Sequence, residues 1–389
     1  MRTFWQVIRR HFVVNSRIGR NDLCWCGSNK KYKKCHLNRD KQEPIKYWEI
    51  NQAFQKANSR KECLVPKSLS LQCSGNIIKA HTVPKTSSLR AISQDGHVLG
   101  YKMTFESMRK HSGTPTFEKI GVNQASTFNG FCKYHDDVLF SSLEKERFAA
   151  TKKQCFSLSY RAFAKEYYAK SAVLSLSPLR NDADKGKTIQ EQIDIQMNNY
   201  LFELGTKAAM EDLEYHKAYF DAALEAHDYD NTRAVVFILD EPPPFMVCGS
   251  VNPDYDFNGA KLQELMDLDK RSDCISVTSY YDGCKGIVVL SWLENSDVSC
   301  QSLMRSLLSK KKELYLPFVV QYIFKYFENV FIAPNWWEKL HTDSKNMLTA
   351  LTSDNVSTHD EPNSDGLLEV VAKYELPKLA EVQLVGWSL

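Results

Sequence analysis

The sequence lacks several features that would have indicated a membrane protein or a common class of enzyme. No window of 18 or more residues is both apolar and uncharged, so no membrane-spanning helix and no membrane partner are expected. It has no glycine-rich phosphate loop of the Walker type, no GxGxxG and no Gly-x-Ser-x-Gly, which disfavours ATPase, kinase, dinucleotide-dependent and esterase functions. The first residues do not resemble a signal peptide. A cytoplasmic location is therefore predicted.

The charge of the 389-residue chain is small overall but divided unevenly. Residues 1–150 contain 26 Lys and Arg against 12 Asp and Glu, whereas 151–389 contain 24 against 35. A basic front half favours a polyanionic partner, of which nucleic acid is the commonest. Lysine-rich zinc modules are also often basic without binding nucleic acid, so both interpretations stay open.

The cysteines follow the same division. Six lie in the basic half, close to Gly, Lys or His residues typical of metal-binding loops: Cys24, Cys26, Cys35, Cys63, Cys73 and Cys132. In a cytoplasmic chain, clustered Cys and His indicate a metal site rather than disulfides. The other five show no ligand spacing and are predicted to be small buried apolar residues: Cys155, Cys248, Cys274, Cys284 and Cys300.

Four ligand-type residues in 19–36 have the spacing C-x-C-x8-C-H, namely Cys24, Cys26, Cys35 and His36. Zinc prefers four nitrogen or sulfur ligands in a tetrahedron, and a site closed by four protein ligands is structural. Gly27 lets the chain reverse after the first pair, and residues 30–34, predicted as a short helical turn, bring back the second. The sequence therefore predicts a structural zinc site that supplies most of this segment's folding free energy.

The same stretch resembles the SEC-C motif, the zinc-binding tail of the SecA translocation ATPase, which recurs in otherwise unrelated bacterial proteins. The resemblance rests on Gly19-Arg20-Asn21-Asp22, Cys24-x-Cys26-Gly27-Ser28, Lys30-Lys31-Tyr32-Lys33-Lys34 and Cys35-His36. It implies a zinc ion, a bacterial origin and docking on a chaperone, a ribosome or another protein partner. It implies no enzymatic activity.

A second set of ligand-type residues is spread over 63–136. Cys63 and Cys73 are separated by nine residues, and the spacing Cys132-x2-His135 places both side chains on one face of the first turn of a helix. Residues 76–83 between these pairs are predicted to form a short β-strand. The four side chains are therefore predicted to form a second tetrahedral zinc site.

A cysteine pair, a hairpin carrying His-x-x-Pro and a helix that opens with Cys-x2-His together resemble the HNH-type nucleases, which have a ββα-metal, treble-clef fold. The resemblance implies that His81 is the general base, because an imidazole with a pKa near 6.5 takes up protons at neutral pH. It also implies that Asp136 is a ligand of a catalytic Mg or Mn ion, and that Asn129 or Asn123 is the middle Asn. Ala80 stands where the family usually has a further metal ligand.

Two functions follow from these motifs. The first is a zinc-binding, nucleic-acid-associated protein that is a divergent HNH-like, metal-dependent phosphodiesterase. The alternative is a non-enzymatic zinc adaptor, in which both zinc sites are structural and the SEC-C motif docks on a ribosome, a chaperone or another protein. In the adaptor, His81 is a hairpin histidine or itself a zinc ligand. The sequence does not indicate an oligomeric state.

The predicted fold class is a multidomain α+β chain. Five segments are expected: a SEC-C-like zinc motif with an N-terminal arm at 1–40, a second zinc-binding, HNH-like treble-clef module at 41–140, a helical region at 141–228, an α+β domain at 229–340, and a polar linker with a C-terminal segment at 341–389. Strands predicted at 233–240, 246–251, 274–281 and 286–293, joined by turns, favour an antiparallel sheet.

Overall fold

A computed structural model describes most of the chain: residues 18–101, 105–110, 116–265, 267, 269–354, 365–370 and 374–389. Residues 1–17 of the predicted N-terminal arm and residues 355–364 of the predicted polar linker and C-terminal segment lie outside these ranges. The described residues form helices and antiparallel strands, which confirms the predicted α+β class. Within them, no helix combines the length and the hydropathy needed to cross a bilayer.

The strands and helices have the following bounds. The strands are β1 (Ile77–His81), β2 (His97–Tyr101), β3 (Phe117–Gly121), β4 (Thr127–Cys132), β5 (Thr232–Leu239), β6 (Phe245–Val251), β7 (Ile275–Tyr281), β8 (Gly286–Leu293), β9 (Val330–Ile332) and β10 (Leu379–Val385). The helices are α1 (Tyr47–Asn58), α2 (Arg90–Ile92), α3 (Phe105–Lys110), α4 (Lys133–Leu139), α5 (Ser141–Glu144), α6 (Lys152–Ser175), α7 (Ser177–Asn181), α8 (Ile189–Ala226), α9 (Asp297–Leu308), α10 (Tyr315–Tyr326), α11 (Pro334–Lys339), α12 (Thr342–Asp354) and α13 (Asp365–Leu368).

The chain divides into two compact units. The described residues of the first unit are 18–60, 167–214, 267 and 269–270; those of the second unit lie within 61–166, 215–265 and 271–389. The five-segment division expected from the sequence stays a prediction.

The first unit contains the SEC-C-like segment, α1, α7 and parts of α6 and α8. The loop between α7 and α8 meets the segment directly after His36. Gly186 in this loop has a φ of +73°, and its N–H donates to the carbonyl of Arg39 over 3.0 Å. A Cβ at residue 186 would lie 2.8 Å from the carbonyl oxygen of Gln42, so both the dihedral angle and the close approach require glycine.

The second unit is built on an eight-stranded sheet with the order β10-β5-β8-β7-β6-β9-β2-β3, in which all pairs are antiparallel. Alternate residues of β5 face opposite sides of the sheet. Val235 and Phe237 pack with residues of α9 and α10, whereas Ala234 and Val236 pack with Cys155 at the start of α6. Both faces are covered, which explains why β5 is an almost continuous apolar run.

The second unit also contains a ββα element. Strand β1 pairs antiparallel with β4, and α4 begins at the residue after β4 ends. Residues 82–126, between the two strands, contribute β2 and β3, and β2 joins the large sheet through β9. The hairpin connection of the ββα element is thus an insertion that forms one edge of the large sheet.

The rear half confirms the four predicted strands, which are β5 to β8. It differs from the sequence prediction at the start of the segment 341–389, where residues 342–354 form helix α12 instead of a polar linker. Leu348 and Leu351 explain the helix, because both are buried in the core cluster of the second unit. Of the five scattered cysteines, four are buried as predicted and Cys284 is exposed.

Candidate metal centres

The first cluster is formed by a tight turn and a short 3-10 helix. Cys24 and Cys26 flank Trp25 at the turn, and the N–H of Cys24 donates to the carbonyl of Lys30 over 2.8 Å. Gly27, with a φ of +73°, reverses the chain. The 3-10 helix Tyr32–Lys34 then delivers Cys35 and His36 to the same place.

The four ligand atoms of this cluster lie within 4.8 Å of one another. The Sγ atoms of Cys24 and Cys35 are 3.1 and 3.2 Å from Nδ1 of His36, and the Sγ atoms of Cys26 and Cys35 are 3.5 Å apart. Ligands at 2.0–2.3 Å from one ion in a tetrahedron would be separated by about 3.3–3.8 Å. The donor set and its spacing therefore fit zinc.

His36 is held by a carboxylate far away in the sequence. Its Nε2 lies 2.8 Å from Oδ2 of Asp184, and both side chains are buried. Asp184 also accepts a hydrogen bond from Nε of Arg39 over 2.7 Å. A zinc-bound histidine commonly donates its second N–H to a carboxylate, which fixes the ring and its tautomer. No local signal in the sequence indicates Asp184, because it lies 148 residues after His36, within the segment predicted only as a helical region.

The second cluster is assembled around the end of β4. Cys132 is the last residue of β4 and the N-cap of α4, and His135 lies in the first turn of that helix. Cys63 precedes a segment that pairs with β4, where the N–H of Leu64 donates to the carbonyl of Gly130 over 2.9 Å. Cys73 follows the 3-10 helix Lys67–Gln72.

These four ligand atoms also lie within 4.8 Å of one another. Nδ1 of His135 is 3.4, 3.5 and 3.2 Å from the Sγ atoms of Cys63, Cys73 and Cys132, respectively. Burial raises the pKa of Cys132, but backbone hydrogen bonds from His135 and Ser74 outweigh it and lower the pKa to about 6. The thiolate at the start of α4 is therefore favoured near neutral pH. This cluster fits zinc as well.

The residues that the HNH resemblance singled out lie on the same ββα element. His81 ends β1 and Asp136 lies in the first turn of α4. Within the described part of the chain, Nδ1 of His81 and Oδ1 of Asp136 are buried without a hydrogen-bond partner. Asn129 lies on β4, and its carbonyl accepts from the N–H of Glu62 over 3.3 Å. Asn123 accepts a hydrogen bond from Nζ of Lys85 over 3.3 Å.

Arg161 is a buried cation that acts on both candidate catalytic residues. Burial lowers the pKa of His81 below its usual 6.5, and the positive charges of Lys85 and Arg161 lower it further. Burial raises the pKa of Asp136 to about 6, against the opposing effect of Arg161. The Arg161 guanidinium lies over the ring of Phe140 at 3.9 Å and donates to Glu144 over 2.8 Å. The sequence does not single out Arg161, because nothing distinguishes it from the other residues of the predicted helical region.

The structure separates His81 from the zinc ligands. The second cluster is completed by His135, and its four ligand atoms do not include any atom of His81. The prediction in which His81 serves as a zinc ligand is therefore wrong for this cluster. The physical reason is that His81 and Cys132 lie at opposite ends of the β1–β4 pair, where His81 pairs with Thr127 and Cys132 pairs with Ile77.

A comparison with family models gives one match, to the SEC-C motif at residues 20–38. The match covers the turn, the 3-10 helix and all four residues of the first cluster. No curated protein and no solved structure matches the chain. Residues 20–38 are thus similar to a zinc-binding SEC-C motif, and the two Cys/His clusters make this a chain with two candidate zinc centres.

Proposed function

We propose that this chain is a metal-dependent nuclease in which a zinc-supported ββα element binds nucleic acid and cleaves its phosphodiester bonds. The main support is the order of the element: a strand that ends at His81, its antiparallel partner β4, and a helix whose first turn carries Cys132 and His135. The zinc ligand set leaves His81 available for chemistry. This arrangement resembles the HNH-type nucleases.

His81 acts as the general base in this proposal. Burial and the nearby positive charges keep its pKa below 6.5, so the imidazole is neutral at pH 7 and can accept a proton. The proton comes from a water molecule whose oxygen forms a new bond to phosphorus. The bond from phosphorus to the leaving oxygen breaks, and that oxygen takes up a proton from solvent.

Asp136 would hold the catalytic divalent cation, Mg or Mn. Its Oδ1 is buried without a partner in the described part of the chain, and a carboxylate oxygen is the ligand type that these cations prefer. When bound, such an ion neutralises charge on the phosphate and on the leaving oxygen. Asn129, on the strand between His81 and Asp136 in chain order, is the candidate for the middle Asn of the family.

Exposed lysines on the same element support binding to a polyanion. Four lysines of this region are exposed: Lys79 on β1, Lys133 at the start of α4, Lys61 just before the segment that pairs with β4, and Lys67 at the start of the 3-10 helix that precedes Cys73. Lysines that neutralise phosphates release counterions, so the affinity for nucleic acid should fall steeply as salt is added. The affinity of a purely apolar contact would not behave in this way.

The test is cleavage of plasmid, single-stranded DNA and RNA by the full chain in Mg²⁺ or Mn²⁺. We expect His81→Ala to lower the rate by about 10²–10⁴-fold, the usual contribution of a general base. His97→Ala is the matched control, because His97 is an exposed strand histidine of the same unit. A wild-type chain that cleaves none of these substrates, or cleavage that survives the loss of His81, would contradict the proposal.

The second candidate is an adaptor that docks on a protein partner through the SEC-C motif. It is favoured by the match at 20–38 and by the exposed side chains of the first unit, which include Leu23 at 65% and Trp48 at 59% exposure. A pull-down with and without nuclease treatment separates the candidates. Partners that persist after nucleic acid is digested favour the adaptor, whereas partners that are lost favour the nuclease.

A further inference from the structure

A cavity of about 300 Å³ lies next to the second cluster. It is lined mainly by apolar and aromatic side chains, including Phe156, Tyr160 and Tyr229, and His135 is part of its wall. This volume is at the low end of the range of about 300–1,000 Å³ that small-molecule sites occupy.

His135 gives this cavity a buried polar group without a partner. The side chain is 2% exposed, and its Nδ1 faces the three sulfurs of the cluster. Its other ring nitrogen, Nε2, is buried and has no hydrogen-bond partner among the described residues. In the first cluster the equivalent nitrogen of His36 is bound to Asp184. A zinc-bound histidine normally donates this N–H, so the acceptor for His135 has to come from outside the described chain.

The other lining residues indicate the chemistry of that acceptor. Tyr229 is half-buried and offers the cavity one ring on which a planar group can stack. Phe156 packs behind it, with the two ring centroids 4.8 Å apart, and is itself only 1% exposed. Lys153 and His227 are exposed and also line it, so a cation is available where the cavity opens to solvent. One half-buried tyrosine ring, one buried N–H donor and a cation at the opening suit a nucleobase that bears a carbonyl acceptor and is linked to a phosphate.

We propose that this cavity binds a single nucleotide, with the base against the ring of Tyr229, a base acceptor on Nε2–H of His135 and the phosphate near Lys153. The proposal rests on the proposed nuclease function in one respect only, which is the source of the ligand: an unpaired nucleotide of a bound strand. The same chemistry would also hold a free mononucleotide. Binding of the base beside α4 would position a strand on the ββα element.

The experiment measures equilibrium binding of the four deoxynucleoside monophosphates and of a short single-stranded oligonucleotide to the full zinc-loaded chain without Mg²⁺ or Mn²⁺. Cleavage is not required, so this test can succeed when the nuclease test fails, and the reverse. Binding of a monophosphate supports a free nucleotide as the ligand. Binding of the oligonucleotide alone, if the cavity variants abolish it, supports a base from a strand.

Two substitutions at the edge of the cavity give the test its specificity. Val138 is 50% exposed, so Val138→Trp should fill the opening without disturbing a core and should abolish detectable binding. Tyr229→Ala removes a stacking face and should weaken binding about 5-fold or more. Lys145→Ala is the control, since this exposed lysine of the same unit does not line the cavity.

Zinc content should stay unchanged in all three variants, which separates loss of the cavity from loss of the cluster. The proposal is overturned when the wild-type chain binds neither the monophosphates nor the oligonucleotide. It is also overturned when binding is the same in Val138→Trp and Tyr229→Ala as in the wild-type chain.

Discussion

At the scale of single residues, the two clusters differ in how their histidines are supported. His36 shares a buried hydrogen bond with Asp184, which in turn pairs with Arg39. Nδ1 of His135 likewise faces the sulfurs of its own cluster, but its Nε2 has no acceptor among the described residues. A distant carboxylate therefore supports the histidine of the first cluster, whereas in our proposal the ligand of the neighbouring cavity supports that of the second.

Asp184→Asn should weaken zinc binding at the first cluster by about 10–100-fold, because the carboxylate that orients His36 is lost. Competition with a chromophoric chelator would measure this change. Asp182→Asn is the matched control: Asp182 also pairs with Arg39, at 3.0 Å, but its side chain is 44% exposed, and among the described residues it is Asp184 that pairs with His36. Equal zinc affinities in Asp184→Asn and wild type would contradict this role for Asp184.

The cleavage rate should depend on pH through His81. The base must be neutral, and burial with two nearby positive charges holds its pKa below 6.5. As the pH falls, the rate should therefore decline with a midpoint below pH 6.5, which a pH profile of kcat/KM would show. Protonation of Asp136, whose pKa burial raises to about 6, should contribute to the same decline. Zinc content measured at each pH controls for loss of the metal. A midpoint above pH 6.5 would argue against His81 as the base.

At the scale of elements, the ββα element depends on the close packing of β4. Gly130 lies between two buried aromatic residues of that strand, Phe128 and Phe131, whose ring centroids are 5.7 Å apart in an edge-on contact. A Cβ at residue 130 would lie 2.2 Å from the ring of Phe128. The buried ring cannot move away freely, so glycine at this position keeps Cys132 and α4 in place.

Gly130→Ala should lower the free energy of unfolding by about 1–3 kcal/mol, the usual cost of overpacking a buried site. Thermal or denaturant unfolding would measure the change. Gly121→Ala is a matched control, because a Cβ at this strand residue would have no atom within 4 Å. Stabilities that are equal for the two variants would show that β4 can accommodate the extra carbon.

The elements also show what the sequence could and could not predict. The ligand residues of both clusters were predictable from the sequence. Clustered Cys and His residues in a chain of this kind indicate a metal site, and the spacing of Cys132 and His135 matches one turn of a helix. The pairing of β2 with β9 was not predictable, since it joins residues more than 200 positions apart. Helix α12 was missed because its polar sequence conceals the few apolar residues that pack inward.

At the scale of the whole molecule, charge and chemistry lie in the same part of the sequence. The excess of Lys and Arg falls in residues 1–150, which also contain both candidate zinc centres, His81 and Asp136. The acidic remainder contributes most of the large sheet and its covering helices. The candidate metal ligands and catalytic residues therefore lie in the front of the chain, while the rear adds Asp184, Arg161 and most of the lining of the cavity beside the second cluster.

The number of zinc ions per chain is the most direct test of the account. Inductively coupled plasma mass spectrometry of the purified protein should give two zinc ions per chain, because each cluster offers four ligands within 4.8 Å. Cys35→Ser and Cys73→Ser, which alter one half-buried ligand in each cluster, should each reduce the value to one. A wild-type chain with one zinc ion or none, or a count that neither substitution changes, would contradict the account.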